Sequence, residues 1–430
     1  MDDKDVRVKK VLMVAFHFPP QAGSSGVQRT LRFVQHLPAL GWQPLVLTAN
    51  TLAYDQTNSH LLADVPAGTV VRRALALDTA RHLQVAGRYW AAMARPDRWM
   101  SWRWDAVRQG LAMVRAFKPD AIWSTYPIAT AHVIGAELAR QTRLPWVADF
   151  RDPMAQEGYP SDPRTWQAFE RIEATAARQA RWCVFTTPSA ACLYQQRYPQ
   201  AAQRMMVLEN GYDEESFLQA GALDAPRLLA TDLPAVRNRP ALLLHSGIVY
   251  PSERDPAALF VALGQLAQSG AVGPEDLMIR FRAAVHEDLL RDLAMRHNVQ
   301  ALVEICPALP YREALAEMLN ADTLLLMQAS NCNAQIPAKF YEYLRAGKPL
   351  LGLTDPAGDT AAAMRSAGLP NTARLDNAPE IAQALQQLLR ELRLGQAARP
   401  GLSAIQQASR TARAQTLAQM LNEASSEKSP

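Results

Sequence analysis

The sequence lacks the marks of several protein classes. Its four cysteines include no C-x-x-C pair, and no histidine stands near them at ligand spacing, which argues against a disulfide framework and a structural zinc site. No run of about 18 apolar residues occurs, so no membrane-spanning helix is predicted. The 45 Lys and Arg against 41 Asp and Glu leave too small a surplus to indicate nucleic acid binding. We expect a cytoplasmic protein that could still contact a membrane surface.

Short apolar segments alternate with amphipathic stretches along most of the 430 residues. Strands that alternate with helices predict βαβ units and parallel sheets, and there are more predicted strands than one ordinary open sheet holds. The predicted strands are 11–16, 44–48, 121–124, 146–150, 183–186, 206–209, 241–245, 278–283, 302–306, 323–327 and 349–353. The predicted helices include 27–40, 106–117, 165–181, 312–320, 336–346 and 404–423. The sequence therefore predicts an α/β protein with two domains.

The boundary between the two domains is predicted within residues 211–240. This stretch is poor in strand residues and rich in glycine and proline, as a linker is. The predicted domains are residues 1–210 and residues 241–403.

A glycine-rich turn follows the first predicted strand in HFPPQAGSSGVQRT, where Gly23 and Gly26 precede a helix. Glycines let the backbone approach a ligand, and the free N–H groups of the helix N-terminus attract an anion. The spacing is not that of the dinucleotide fingerprint, and no Walker lysine follows. A turn without a ligand stays an alternative.

Three charged residues follow the predicted strand 146–150 in VADFRDP: Asp149, Arg151 and Asp152. Ligands of open α/β sheets bind outside the carboxyl ends of the strands. Two carboxylates and a guanidinium there could hold sugar hydroxyls or a leaving phosphate. The alternative is a solvated turn in which Arg151 pairs with an aspartate.

Two segments of the second half carry candidate phosphate ligands. In HSGIVYPSERDP, Gly247 follows a strand and Arg254 lies in the next loop, where it suits a diphosphate unless it pairs with Glu253 or Asp255. In QIPAKFYEYLRAGKPLLGL, Pro337 is expected in a first helical turn. Lys339 and Glu342 share a helix face, so they could contact a phosphate and a ribose or form only a structural pair.

Residues 81–108 contain six arginines and four tryptophans, Trp90, Trp99, Trp102 and Trp104. Basic and aromatic residues together suggest a membrane interface or a surface for sugars and lipids, while half-buried tryptophans of a helical subdomain are the alternative. His132 lies near the expected ligand edge. No G-x-S-x-G motif occurs, and the one D-x-D lies at residues 3–5, which disfavours a metal-dependent single-domain sugar transferase.

Five segments, in the same order, resemble the family-4-like glycosyltransferases of group 1 type: VLMVAFHFPPQAGSSGVQRTLRFVQHLPALGWQPLVLT, PWVADFRDP, ENGYDEESF, HSGIVYPSERDP and IPAKFYEYLRAGKPLLGL. The resemblance implies a GT-B architecture, with two Rossmann-like domains facing across a cleft and the helix 404–424 returning to the first. It also implies retaining transfer of a sugar from a nucleotide-sugar, without a metal or another cofactor. The acceptor is expected to be a glycan or lipid-linked sugar of a cell-surface polysaccharide or glycolipid.

The resemblance also implies roles for the residues at the matching positions, with acceptor binding in the first domain and donor binding in the second. The implied catalytic residues are Asp149, Arg151 and Asp152. The implied donor-binding residues are Gly23, Gly26, Gly247, Arg254, Tyr311, Pro337, Lys339 and Glu342. The residues expected on the acceptor or membrane side are Trp99, Trp102, Trp104 and His132.

One position departs from the family pattern. Many relatives carry a glutamate eight residues before the position of Glu342, and this chain has Ala334 there. Asn333 or Gln335 are the candidates to replace its sugar contact. Ala334 leaves a non-catalytic protein that binds a nucleotide-sugar or glycan as an alternative. A GT-B sugar-nucleotide epimerase, which shares the implied fold, is another.

Overall fold

The computed structural model of the protein describes residues 7–23, 26–223 and 239–426. Contacts within the chain divide it into two compact units. The first unit holds the described residues of Met1–Glu209 and Thr411–Pro430, and the second holds those of Asn210–Arg410.

The first unit is built on a parallel sheet. Its strands are β1 (Lys9–Val14), β2 (Trp42–Ala49), β3 (Val70–Ala74), β4 (Ala121–Thr125), β5 (Trp146–Arg151), β6 (Trp182–Phe185) and β7 (Met205–Val207). They pair in the order β3-β2-β1-β4-β5-β6-β7. The central strand β1 is buried over its last four residues, as an apolar strand covered on both faces should be.

Helices cover both faces of this sheet. They are α1 (Gly26–His36), α2 (Thr79–His82), α3 (Trp102–Phe117), α4 (Thr130–Thr142), α5 (Pro163–Gln179) and α6 (Pro188–Arg197). Apolar residues of α3, α4, α5 and α6 fill the core on one face, and those of α1 lie in the core on the other.

The second unit repeats this plan with a smaller parallel sheet. Its strands are β8 (Ala241–Ser246), β9 (Leu277–Arg282), β10 (Val303–Cys306), β11 (Thr323–Met327), β12 (Leu350–Leu353) and β13 (Thr372–Ala373), in the order β10-β9-β8-β11-β12-β13. Its helices are α7 (Glu214–Leu223), α8 (Ala257–Gln268), α9 (Glu287–Arg296), α10 (Tyr311–Asn320), α11 (Ala338–Ala346), α12 (Asp359–Ser366), α13 (Ala378–Arg393) and α14 (Leu402–Gln407).

The chain ends in α15 (Arg410–Ser426). Its residues Ala414, Leu417 and Leu421 are buried in the core of the first unit beside Val11 and Met13. The sequence predicted one helix over 404–423, whereas the structure divides this stretch into α14 and α15.

Part of the stretch predicted as linker is folded. Helix α7 packs on α10, and Tyr212, Phe217 and Ala220 belong to an apolar core of the second unit. Residues 224–238 of the predicted linker lie outside the described residues.

The expectation of two parallel-sheet α/β domains is confirmed. In each sheet the strand order reverses beside the unit's first strand, between β1 and β4 and between β8 and β11. Side chains just after these strands meet at the carboxyl edge where open α/β sheets bind ligands. None of the helices in the described part of the chain combines the length and apolar composition needed to cross a membrane.

Candidate active site

A buried ion pair lies at the carboxyl edge of the first unit. Arg29, on α1, donates from Nε to Asp149 Oδ2 and from Nη2 to Asp149 Oδ1, both at 2.8 Å. Thr125 Oγ1 also donates to Asp149 Oδ2 at 2.8 Å. The Asp149 side chain has no exposed surface. Its carboxylate therefore serves the fold, and the prediction that Asp149 contacts the substrate is wrong.

The same arginine ties three segments of the first unit together. Arg29 Nη2 donates to the Leu208 carbonyl at 2.9 Å, and Nη1 donates to the Glu209 carbonyl at 3.2 Å. One side chain thus links helix α1, the end of β5 and the segment after β7. Sequence analysis missed Arg29, although its place in the first turn of the helix after the glycines was a usable signal.

Arg151 stands at an irregular point of the sheet edge. Its φ is +63°, and the pairing of β5 with β6 shifts register between Asp149 and Arg151. The Arg151 carbonyl accepts hydrogen bonds from Thr186 N at 2.9 Å and from Thr186 Oγ1 at 2.8 Å. A left-handed backbone in a non-glycine residue persists only where its surroundings hold it, and such positions cluster at functional sites.

Gly26 brings His17 and Arg151 together. A Cβ built on Gly26 would lie 2.5 Å from His17 Nδ1 and 3.2 Å from Arg151 Nη1. The glycine is therefore required because two polar side chains occupy the space that any other residue would fill. Gly23, at φ +79°, has the left-handed backbone of a turn, and Ser24 and Ser25 lie outside the described residues.

The groups around Gly26 differ in charge. Burial and, to a smaller extent, the neighbouring charge of Arg151 lower the pKa of His17 to about 4, so the imidazole is neutral at pH 7. Arg151 keeps its proton because a guanidinium does not lose it in proteins. Desolvation raises the pKa of Asp152, while the charges of Arg151 and Arg29 lower it. The neutral imidazole can accept a hydrogen bond from a hydroxyl, and the guanidinium beside it can bind an oxyanion.

The residues expected on the acceptor side lie mostly in the core. Trp102 and His132 have no exposed surface. His132 Nδ1 lies 2.8 Å from Ser124 Oγ, and burial lowers the pKa of His132 to about 4. Trp99 is partly buried and donates from Nε1 to the Ala53 carbonyl at 3.1 Å. The predictions for Trp102 and His132 are wrong because the faces of α3 and α4 that carry them turn inward.

Trp104 has an open surface, with 72% of the residue exposed. The Arg103 guanidinium lies 5.2 Å from its ring centroid. Trp90 is also exposed, at 81%.

In the second unit, the Arg254 guanidinium contacts the loop that follows β8. Its Nη1 donates to the Ile248 carbonyl at 2.9 Å, and the guanidinium lies 5.3 Å from the Tyr250 ring centroid. Among the described residues, no carboxylate lies at ion-pair distance from Arg254, so the alternative pairing with Glu253 or Asp255 is not formed. Gly247, at φ +149°, begins this loop.

Helix α11 carries the second cation of this edge. Lys339 Nζ lies 2.9 Å from Glu342 Oε2, and the Tyr311 hydroxyl donates to Glu342 Oε1 at 2.9 Å. Desolvation and the Glu342 charge raise the pKa of Tyr311. The Lys339–Glu342 pair is therefore formed, and Tyr311 joins it. Pro337 precedes the helix as its N-cap, which corrects its predicted place in the first turn.

His245 lies near the end of β8, where the charges of Arg254 and Lys339 both reach it. Burial is the main cause that lowers the pKa of His245 to about 4, and the charges of Arg254 and Lys339 contribute to this shift. His245 Nδ1 lies 3.0 Å from the Leu325 carbonyl. Beside it, the Ser246 N–H donates to the Tyr343 hydroxyl at 2.9 Å. Sequence analysis missed this buried histidine, whose signal was its position in the strand before Gly247.

Near Ala334, the Asn333 side chain and the Gln335 backbone are engaged in the fold. Asn333 Nδ2 donates to Asp355 Oδ2 at 2.8 Å, and the Asn333 carbonyl accepts from the Asp359 N–H at 2.8 Å. The Gln335 carbonyl accepts from Gln328 Nε2 at 3.0 Å. Within the described residues, no group of three or more His, Cys, Asp and Glu side chains is arranged to hold a metal ion.

Comparisons with known proteins confirm the resemblance seen in the sequence. Residues 25–211 match the family model of the glycosyl transferase 4-like domain. No curated protein sequence matches the chain significantly.

Solved structures show the same fold over nearly the whole chain. Anabaena HepE in complex with UDP-glucose is 15% identical with a TM-score of 0.60, and the match covers 96% of this chain and 99% of that one. Sucrose-phosphate synthase from Thermosynechococcus elongatus is 14% identical with a TM-score of 0.59, over 96% and 98%. UDP-GlcNAc 2-epimerase from Neisseria meningitidis is 11% identical with a TM-score of 0.52, over 96% and 100%. Residues 25–211 thus match a glycosyl transferase 4-like domain, and the chain has the fold of the GT-B glycosyltransferases.

Proposed function

We propose that the protein is a glycosyltransferase that moves a sugar from a nucleotide-sugar to a glycan or lipid-linked acceptor of a cell-surface polysaccharide or glycolipid. The observation that carries this proposal is the group at the carboxyl edge of the second unit. There, Arg254 is bound to the Ile248 carbonyl in the loop after β8, and Lys339 lies beside Glu342 on α11. Two cations with a nearby carboxylate fit a nucleoside diphosphate, whose phosphates are anionic and whose ribose offers hydroxyl donors.

The donor would be held by groups of different kinds. Arg254 and Lys339 neutralise the diphosphate, and the N-terminus of α11 adds backbone N–H groups. Glu342 accepts hydrogen bonds from the ribose hydroxyls while Tyr311 keeps its carboxylate in place. The HepE complex with UDP-glucose shows that this fold accommodates such a donor in that protein.

The first unit would serve the reacting sugar and the acceptor through Arg151 and Asp152. Arg151 suits the charge that develops as the donor bond breaks, because fixed cations stabilise such charge without reorganising. Neutral His17 lies beside it and can accept a hydrogen bond from a hydroxyl.

The proposed chemistry retains the configuration of the sugar and needs no metal. The bond between sugar C1 and the phosphate oxygen breaks, and the acceptor oxygen bonds to C1 on the same face. The acceptor proton passes to the departing phosphate, so the leaving nucleoside diphosphate serves as the general base. Arg254 and Lys339 supply the positive charge that the leaving group requires.

The acceptor is proposed to be membrane-bound, with the protein peripheral at the inner face of the plasma membrane. Exposed Trp104 with Arg103 beside it, and exposed Trp90, suit the boundary between lipid headgroups and acyl chains. Sedimentation with vesicles of anionic lipid should retain the wild type and lose the Trp90→Ser, Trp104→Ser double variant. Equal binding of both proteins would contradict the membrane contact.

Sugar turnover tests the proposed function. UDP-, GDP-, ADP- and dTDP-sugars are incubated with membranes or oligosaccharides, and released nucleoside diphosphate is measured with and without EDTA. We expect release that depends on acceptor, survives EDTA and gives a product with the donor's anomeric configuration. An epimerised nucleotide-sugar would favour the epimerase, and binding without turnover would favour a non-catalytic protein.

A further inference from the structure

The loop that carries Arg151 and Asp152 is anchored just beyond them. The Met154 N–H donates to the Tyr194 hydroxyl at 3.0 Å, and the Ala155 N–H donates to Glu173 Oε1 at 2.7 Å. Met154 and Ala155 have no exposed surface. Two successive backbone groups are therefore fixed from outside the loop.

Both anchors belong to one buried network. Glu173 lies on α5 with no exposed surface, and its carboxylate accepts hydrogen bonds from the Tyr194 hydroxyl and, at 2.5 Å, from Arg197 Nη1. The Tyr198 hydroxyl donates to Glu173 Oε2 at 3.2 Å. The carboxylate is thus surrounded by donors, which is the condition for keeping a buried charge.

Tyr194 has a further contact with the site strand. Its ring centroid lies 5.2 Å from that of Phe150, the residue before Arg151. One side chain thus touches the chain before Arg151 and holds it after Asp152. A loop fastened on both sides can keep the left-handed backbone of Arg151.

We infer that Glu173, Tyr194 and Arg197 are positioning residues that hold the loop bearing Arg151 and Asp152 in the geometry of transfer. The inference rests on the proposed function. None of the three residues needs to touch a substrate, because Tyr194 and Glu173 hold the backbone of Met154 and Ala155, and Arg197 acts through Glu173. A displacement of about 1 Å at a reacting group can lower a rate about 100-fold.

Two tyrosines of the network provide a matched pair for the test. Tyr194→Phe removes the oxygen that accepts the Met154 N–H, whereas Tyr198→Phe removes a hydroxyl that contacts only Glu173 in this network. In Tyr194→Phe we expect faster hydrogen exchange of the Met154 amide, a 10- to 100-fold lower kcat and a donor KM within about twofold. In Tyr198→Phe we expect exchange of that amide and kcat within about twofold of the wild type.

A second variant pair covers the case in which Tyr194→Phe fails to fold. Arg197→Lys keeps a positive charge at Glu173 and should keep kcat within about threefold, while Arg197→Ala should lower kcat by 10-fold or more. Unchanged exchange at Met154 in Tyr194→Phe, or equal losses of kcat in the two tyrosine variants, would overturn the inference. Faster exchange together with a wild type that turns over no nucleotide-sugar would support the anchored loop and reject the proposed function.

Discussion

The two sheets have the same strand order beside their first strands, but the charged side chains at their carboxyl edges differ in burial and in partners. In the first unit, Arg29 and Asp149 are buried with 6% and 0% of their side chains exposed, and they neutralise one another. In the second unit, Lys339 pairs with Glu342 but keeps 32% of its side chain exposed, and Arg254 contacts carbonyl and aromatic groups. Paired buried charges fix geometry, whereas cations with open surface can attract an anion. The buried Arg29–Asp149 pair thus forms a structural frame at the first edge, and the second edge is the proposed binding surface.

The largest effect is expected from breaking the frame. Arg29→Ala leaves Asp149 buried without its partner, which should lower the free energy of unfolding by about 3 to 5 kcal/mol. Arg254→Ala should change it by less than about 1 kcal/mol, since this residue is partly exposed. Urea unfolding followed by far-UV circular dichroism measures both variants, and tryptophan fluorescence identifies the transition of the first unit, which holds all nine tryptophans. Equal losses in the two variants would contradict the comparison.

The next largest effect is expected from acid, which should lower the stability of the first unit through His132. Burial lowers the pKa of His132 to about 4 from the usual 6.5, so the unfolded chain binds its proton first. Stability from this residue is full above about pH 6.5 and falls toward pH 4 by roughly 3 kcal/mol. The pKa of His17 in the first unit is also lowered to about 4, and so is the pKa of His245 in the second unit.

Variants isolate this contribution from that of other acidic groups. His132→Asn should flatten the pH dependence of tryptophan-monitored unfolding between pH 6.5 and 4. His60→Asn, on an exposed residue of the same unit, should leave the slope unchanged. An unaltered slope in His132→Asn would show that His132 titrates normally in the folded protein.

Effects of intermediate size are expected from the substitution of one glycine in each unit. Gly26→Ala places a Cβ against His17 and Arg151, so it should lower turnover 10-fold or more and leave nucleotide affinity within about twofold. Gly247→Ala forces a side chain into φ +149°, which should destabilise the second unit by about 1 to 3 kcal/mol. Turnover and titration calorimetry are the measurements for Gly26→Ala, and scanning calorimetry for Gly247→Ala. Normal turnover by Gly26→Ala would remove His17 and Arg151 from the site.

The smallest effect is expected at Tyr311. Tyr311→Phe removes the hydrogen bond to Glu342 and leaves the Lys339 pair, so nucleotide affinity should fall about 2- to 10-fold. Tyr250→Phe keeps the ring under Arg254 and should have no effect. Titration calorimetry with the bound nucleotide measures both, and equal affinities for the two variants would place Tyr311 outside the donor site.

The central strands could be predicted from the sequence because their apolar runs are continuous. The strand predicted over residues 323–327 is found as β11, Thr323–Met327. Strands β3 and β13 were missed, because β3 reads VVRRA at the sheet edge and β13 has two residues. Edge strands bury less surface, so their sequences carry a weaker pattern.

The site could be predicted only as far as local order determines it. Loops at the carboxyl ends followed from the strands, and Lys339 and Glu342 followed from their spacing on a helix. The partner of Asp149 did not, because Arg29 lies 120 residues away in the chain. The inward direction of His132 depends on how α4 packs, which a single residue in a sequence does not show.

Nucleotide binding tests the central claim, that the second edge is a binding surface for a nucleoside diphosphate. Scanning calorimetry would follow the protein with UDP, GDP, ADP and dTDP, beside Arg254→Ala and a control, Arg291→Ala, whose arginine forms surface ion pairs on α9. One nucleotide at about 100 times its Kd should stabilise the wild type and Arg291→Ala by about 2.7 kcal/mol and leave Arg254→Ala unshifted. No shift with any of the four, or an equal shift in Arg254→Ala, would contradict the claim.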